Sequence, residues 1–393
     1  MLARTFLQKR NIPPLLSTTL PPTAVVAVFT GLGVAAAVTY SPSIAAVAAT
    51  TGTVGAFLGN IIGGNLLTRS CAPRRITIAT VTLWILATVS LVLTLTLHQP
   101  LILLYLLSFS LGVLWGTNNI ANRHIIAHWN AIWIRYNGPL GRIGGTFGAI
   151  IGTIAGTTGN LWMLIPMAIF LLASPSLLPT HITHQLMNPH PTSDVRIVEP
   201  PTAWNRSVVT QNFLLAALGY GTVVIQVALI SATAGPAWVG AGMAVYTVAA
   251  LTAPLLAIRL PHKFHYPLQS KLILAGIANL AWILTLPLPI VGALTARYVS
   301  GTLLFIAEGT ADVEAATHHN AHSAITGRSA GGICAGLLAT WLLTVTPNVA
   351  TLGMILAVLA FLPALAIPLY QRDRTHPLSV PFEPIEPLPD TTE

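Results

Sequence analysis

Apolar residues along this chain run in blocks too long and too continuous for the interior of a water-soluble domain. A helix needs about 20 apolar residues to cross the hydrocarbon layer of a bilayer. That length predicts spans near 23–40, 44–67, 76–97, 101–122, 142–158, 161–178, 208–230, 237–258, 271–286, 290–313, 329–344 and 348–369. Two of the cuts, at Thr157-Thr158-Gly159-Asn160 and at Pro287-Leu288-Pro289, rest on turn-forming residues. The expected fold is an all-α polytopic membrane protein of about 12 transmembrane helices.

Composition agrees: 54% of the 393 residues are hydrophobic and only 7% are charged, against about a quarter charged in a soluble domain. Charge then adds topology. Lys and Arg collect in cytoplasmic loops, and with the amino terminus inside, 17 of the 18 basic residues fall in cytoplasmic segments. They run from Arg4, Lys9 and Arg10 through Arg69, Arg74, Arg75, Arg123, Arg135 and Arg142 to Arg372 and Arg374, and the exception, Arg297, lies within a span. Both termini are therefore expected in the cytoplasm of a multi-pass cell-membrane protein. The scatter of basic residues between apolar runs argues against nucleic acid as the partner. Cys71 and Cys334 form no disulfide framework and no metal-ligand spacing.

The two halves of the chain repeat each other. "GTNNIANRHIIAH" (116–128) and "GTADVEAATHHNAH" (309–322) share Gly-Thr and a spaced histidine pair, and Gly141-Arg142 maps to Gly327-Arg328, a displacement of 186–194 positions. The expected organisation is a cytoplasmic leader over 1–22, a six-helix half over 23–178, and a polar linker over 179–207. A second six-helix half over 208–370 and a disordered Pro-rich tail over 371–393 complete it. Two His at i and i+4 suit zinc, but neither copy carries the glutamate of H-E-x-x-H. Duplication explains the recurrence, and no metal or cofactor is expected.

In size, span number and central loop the chain resembles the major facilitator superfamily over its whole length. Its loop after span two, "GNLLTRSCAPRR", matches that family's Gly-x-x-x-Asp-Arg-x-Gly-Arg-Arg at Gly64, Arg69, Arg74 and Arg75. Thr68 replaces the aspartate and two extra residues precede the arginine pair. The family's Arg-x-x-x-Gly motif of span four appears instead in span ten as "RYVSG", Arg297–Gly301. The resemblance implies two parallel six-helix bundles that rock about a midplane site, with spans one, four, seven and ten lining the cavity.

Ionisable groups inside a span are costly and usually functional. At about 100° per residue, Arg297, Glu308 and Asp312 share one face of span ten, with Arg297 and Glu308 about 16 Å apart by helical rise. Given the resemblance, Arg297 and Tyr298 of span ten, Asn118 and Asn119 of span four, and Gln211, Asn212, Tyr220 and Gln226 of span seven are substrate-cavity candidates. Glu308 is expected to exchange the coupling proton. Asp312 and Glu314 are expected to meet Arg123, Arg142 or Arg328 in a cytoplasmic gate that forms in one state only. Trp129, Trp133, Arg135 and Tyr136 read as a segment at the membrane surface.

A glycine stripe in span five, Gly144, Gly148, Gly152 and Gly156, permits close helix contact. Under the resemblance it lies between the halves and favours export, although the Gly-Pro that ends the exporters' motif is missing from this span; close helix packing alone is the alternative. No nucleophile–base pair or phosphate loop points to an enzyme. The expected function is a proton-coupled secondary transporter of a small amphiphilic or anionic molecule, an antiporter working in efflux. An uncoupled facilitator or importer, and a non-transporting scaffold in an envelope-building complex, are the alternatives.

Overall fold

The computed structural model describes residues 12–68, 72–129, 132–172, 206–219, 226–257, 290–317 and 321–345, and every element in them is helical. The first half holds α1 (Ile12–Thr39), α2 (Pro42–Thr68), α3 (Pro73–Thr96), α4 (Leu101–Trp129) and α5 (Ile132–Thr158). A short α6 (Leu164–Ile169) follows, flanked by 3-10 turns at Leu161–Met163 and Phe170–Leu172. In the second half, α7 (Arg206–Gly219) and α8 (Gln226–Thr233) occupy span seven and α9 (Val239–Ala257) span eight. Spans ten and eleven are α10 (Ile290–Thr317) and α11 (Ala321–Val345). Spans nine and twelve, the acidic tail and nearly all of the linker lie outside the described residues.

Among the described residues, six stretches are long and apolar enough to cross a membrane: Leu16–Thr39, Pro42–Leu67, Pro73–Thr96, Leu101–Asn122, Pro236–Ala253 and Thr326–Val345. Their outer faces carry large exposed apolar side chains such as Leu83, Leu86, Ile102, Leu106 and Trp341. Such a surface is a liability in water and is what lipid requires. Threonine hydroxyls are silenced by bonding back one turn, as in Thr88 to the Trp84 carbonyl and Thr153 to that of Ala149.

Two helices begin earlier than their apolar cores. The first starts at Ile12, inside the stretch expected as leader, because Pro13 and Pro14 fall in the first turn, where missing amide donors cost nothing. The fifth starts at Ile132, so Trp133, Arg135 and Tyr136, read as part of a surface segment, continue helically into span five, while Trp129 ends α4.

Glycine-mediated parallel pairs build each half. A Cβ on Gly144, Gly148 or Gly152 would overlap the carbonyl oxygens of Thr19, Thr23 and Ala27, so α5 and α1 touch backbone to backbone. The same holds for Gly55 and Gly59 of α2 against Phe109 and Val113 of α4, and for Gly327 and Gly331 of α11 against Val209 and Phe213 of α7. The stripe of span five therefore packs within its own half; a different face of α5 meets the second half. Against this frame Trp84 is 1% exposed, donates Nε1–H to the Leu111 carbonyl at 3.1 Å and meets Phe29 edge-on.

The halves join along two main seams. One pairs α5 with α9, where a Cβ on Gly240 would sit 2.9 Å from Thr153 Oγ1. The other pairs α2 with α11, where the Thr50 and Thr340 hydroxyls are 3.0 Å apart. Span seven is divided: α8 packs against α1 and α2, with Val227 beside Gly33, whereas α7 packs against α10 and α11 of its own half.

Candidate functional site

The polar core of the second half is assembled where α8, α9 and α10 meet. Arg297 enters from the middle of an apolar helix and is 3% exposed. Its Nη2 donates to Oε1 of Gln226 at 2.5 Å, and its guanidinium lies 4.0 Å from the centroid of the Tyr246 ring. Gln226, also 3% exposed, turns its amide Nε2 toward Met243 Sδ. A buried cation is tolerable only when other groups compensate its charge, and here a carboxamide and an aromatic face contribute to that. A cavity of about 20 Å³ beside Arg297, between Ile230, Thr233, Trp238 and Leu294, has room for roughly one water.

The stack continues. Tyr246 and Phe305 rings lie 4.7 Å apart at an interplanar angle of 47°, and Arg142 of the first half sits 4.4 Å from the centroid of Phe305. Arg142 Nη1 also donates to the Ala250 carbonyl at 3.1 Å. Two guanidiniums, one from each half, thus close the ends of a pair of aromatic rings. Tyr298 joins α10 to α9 through its hydroxyl, which donates to Thr252 Oγ1 at 3.0 Å.

The other candidates are placed as follows. Asn118 is buried and accepts from Thr80 Oγ1 at 3.4 Å, which turns it toward α3. Asn119 is half-buried on the same helix. Asn212 accepts from Arg328 Nη2 at 3.1 Å, joining α7 to α11 inside the second half. Gly64 is open, with nothing within 4 Å of an added Cβ, while Arg74 and Arg75 lie in the first turn of α3. Glu308, Asp312 and Glu314 take helical positions in α10, Arg123 in α4 and Gln211 in α7, but their side chains lie outside the described part. Tyr220 and Arg69 lie outside the described residues altogether.

Arg297 and Gln226 are legible in the sequence because a charge and a carboxamide interrupt apolar runs. Tyr246, Phe305 and Met243 are not, since their residue types are ordinary in a membrane helix.

Helix pairs of this kind, repeated in two halves that meet along α5–α9 and α2–α11, define a major facilitator fold. The crystal structure of the nucleoside transporter NupG is similar over 93% of this chain and 100% of its own, with a TM-score of 0.70 and 13% identity. The crystal structure of a D-xylose-proton symporter is similar over 90% and 95%, with a TM-score of 0.67 and 15% identity. An inward-open conformation of the xylose transporter XylE from E. coli matches over 91% and 94%, at a TM-score of 0.64 and 14% identity. No protein-family model and no curated protein matches the chain. The likeness at these identities is one of fold: a multi-pass membrane fold of two helical halves.

Proposed function

We propose that this chain is a secondary transporter that moves a small anionic or amphiphilic molecule across the cell membrane by rocking its two halves. The observation that carries the reading is the division of span seven. Its α8 segment closes against α1 and α2 of the opposite half, while α7 packs against its own α10 and α11. A helix closed on the other half at one end and packed within its own half at the other is suited to opening a midplane site to one side at a time.

Within this reading Arg297 anchors the substrate's anionic or polar part and Glu308 exchanges the coupling proton. Asp312 and Glu314 pair with Arg123 or Arg142 when the cytoplasmic side closes. Export is the direction proposed, without support from the glycine stripe of α5, which packs against α1. Purified protein in proteoliposomes tests it, assayed in both directions with small carboxylates, organophosphates, xylose and nucleosides, with and without a pH gradient. Saturable flux of at least one solute, increased by the gradient, is expected. Absence of flux and of any ligand-induced thermal shift across the panel would favour the scaffold alternative.

A further inference from the structure

The transport reading assigns roles to Arg297 and Arg142 but none to the two rings between them. Tyr246 is 8% exposed and belongs to α9; Phe305 belongs to α10, two turns beyond Arg297. Their rings are tilted and in contact, each with a guanidinium over a face, at 4.0 Å on the Tyr246 side and 4.4 Å on the Phe305 side. A ring face attracts a cation through its quadrupole, and the attraction strengthens where water is excluded. Packed rings also transmit displacement, because a close-packed interior leaves a shifted side chain no free volume to absorb it.

Resting on that transport reading, we infer that Tyr246 and Phe305 are positioning residues that couple the occupancy of Arg297 to the hold of Arg142 on the second half. A carboxylate or phosphate group reaching Arg297 competes with the Tyr246 face for the guanidinium. The ring is then free to move, Phe305 follows it, and Arg142 loses an anchor on the opposite half. Among the described residues it keeps the hydrogen bond to the Ala250 carbonyl. Substrate chemistry in one half thereby acts on the seam between the halves. Gly301 fits this design: a Cβ there would lie 2.9 Å from the Tyr246 ring, so the glycine leaves the ring its present position on α10.

The test needs no substrate. The Thr50 and Thr340 hydroxyls are 3.0 Å apart across the α2–α11 seam, so Thr50→Cys with Thr340→Cys reports closure of that seam by its initial rate of disulfide formation. The full chain in nanodiscs carries this pair with Cys71→Ser and Cys334→Ser. Arg142→Gln and Arg297→Gln are then introduced singly and together. Each alone is expected to lower the rate about fivefold, the size of one cation–ring contact at the weaker end of its range, and the double variant no further than either. With Phe305→Leu the rate falls as far, and adding either arginine substitution changes nothing; with Phe305→Tyr, which keeps the ring, the wild-type pattern returns. Arginine effects that multiply independently, or that persist unchanged beside Phe305→Leu, would overturn the inference, since residues without shared partners act additively. Non-additivity without flux of any solute would sink the transport reading and leave the coupling standing. Flux with independent arginine effects would do the reverse.

Discussion

Arg142 of α5 donates from Nη1 to the carbonyl oxygen of Ala250 in α9, 3.1 Å away, and so ties the first half of the chain to the second. The same guanidinium covers the Phe305 ring. One side chain therefore makes two bonds of different kinds to two helices of the opposite half.

Replacing Arg142 by Gln removes the cation while keeping a donor. A charge-assisted hydrogen bond and a cation–ring contact at a half-buried site together contribute about 2 kcal/mol. The thermal unfolding midpoint in detergent should fall by several degrees, and Arg142→Lys, which cannot stack a planar group while donating, should recover less than half of it. An unchanged midpoint would mean the seam holds without this residue.

Gly148 permits the contact of α5 with α1, because a Cβ there would overlap the Thr23 carbonyl oxygen. Gly148→Ala forces two backbones apart and should cost about 2 kcal/mol. Gly332 has nothing within 4 Å of an added Cβ, so Gly332→Ala should be neutral or stabilise by up to about 1 kcal/mol through helix propensity. Equal effects in a thermal-shift assay would contradict the close-packed parallel pair.

Gln226 supplies the acceptor for a guanidinium that is 3% exposed. Gln226→Leu leaves a buried donor without this bond and should destabilise by about 2–3 kcal/mol. Gln226→Glu should be tolerated better, since the new carboxylate faces the cation. If both substitutions behave alike in denaturation, the Arg297–Gln226 bond does not organise this core.

Glu308, if it exchanges the coupling proton, makes flux depend on external pH. Glu308→Gln holds the position in its uncharged form. Gradient-driven accumulation should then disappear while exchange of solute across equal pH persists, and flux should become flat between mildly acidic and mildly alkaline buffer. Retained gradient-driven accumulation in this variant, measured in proteoliposomes, would assign coupling elsewhere.

Much of the fold was legible because lipid imposes length and apolarity on every span: α2, α3 and α4 begin within two or three residues of their expected starts. The beginnings of α1 and α5 were less so, since a helix can continue through Pro13-Pro14 or through Trp133, Arg135 and Tyr136 without staying apolar. Arg297 stood out as a charge in oil, but its partners did not, because which way a helix is turned about its axis is set by packing. Asn118 illustrates the gap: its polarity suggested a cavity, and its rotation turns it toward Thr80 of α3. Arg328, expected at the gate, bonds Asn212 within its own half.

The central claim is that the two halves rock against each other. Spin labels at Val38, at the exposed end of α1, and at Trp238, exposed in the turn just before α9, span the junction of the halves, and double electron–electron resonance in nanodiscs reads their separation. Two distance populations are expected, a short one matching this arrangement and a longer one whose share changes with pH. A single narrow distance, unmoved by pH, would show a rigid body and contradict the account.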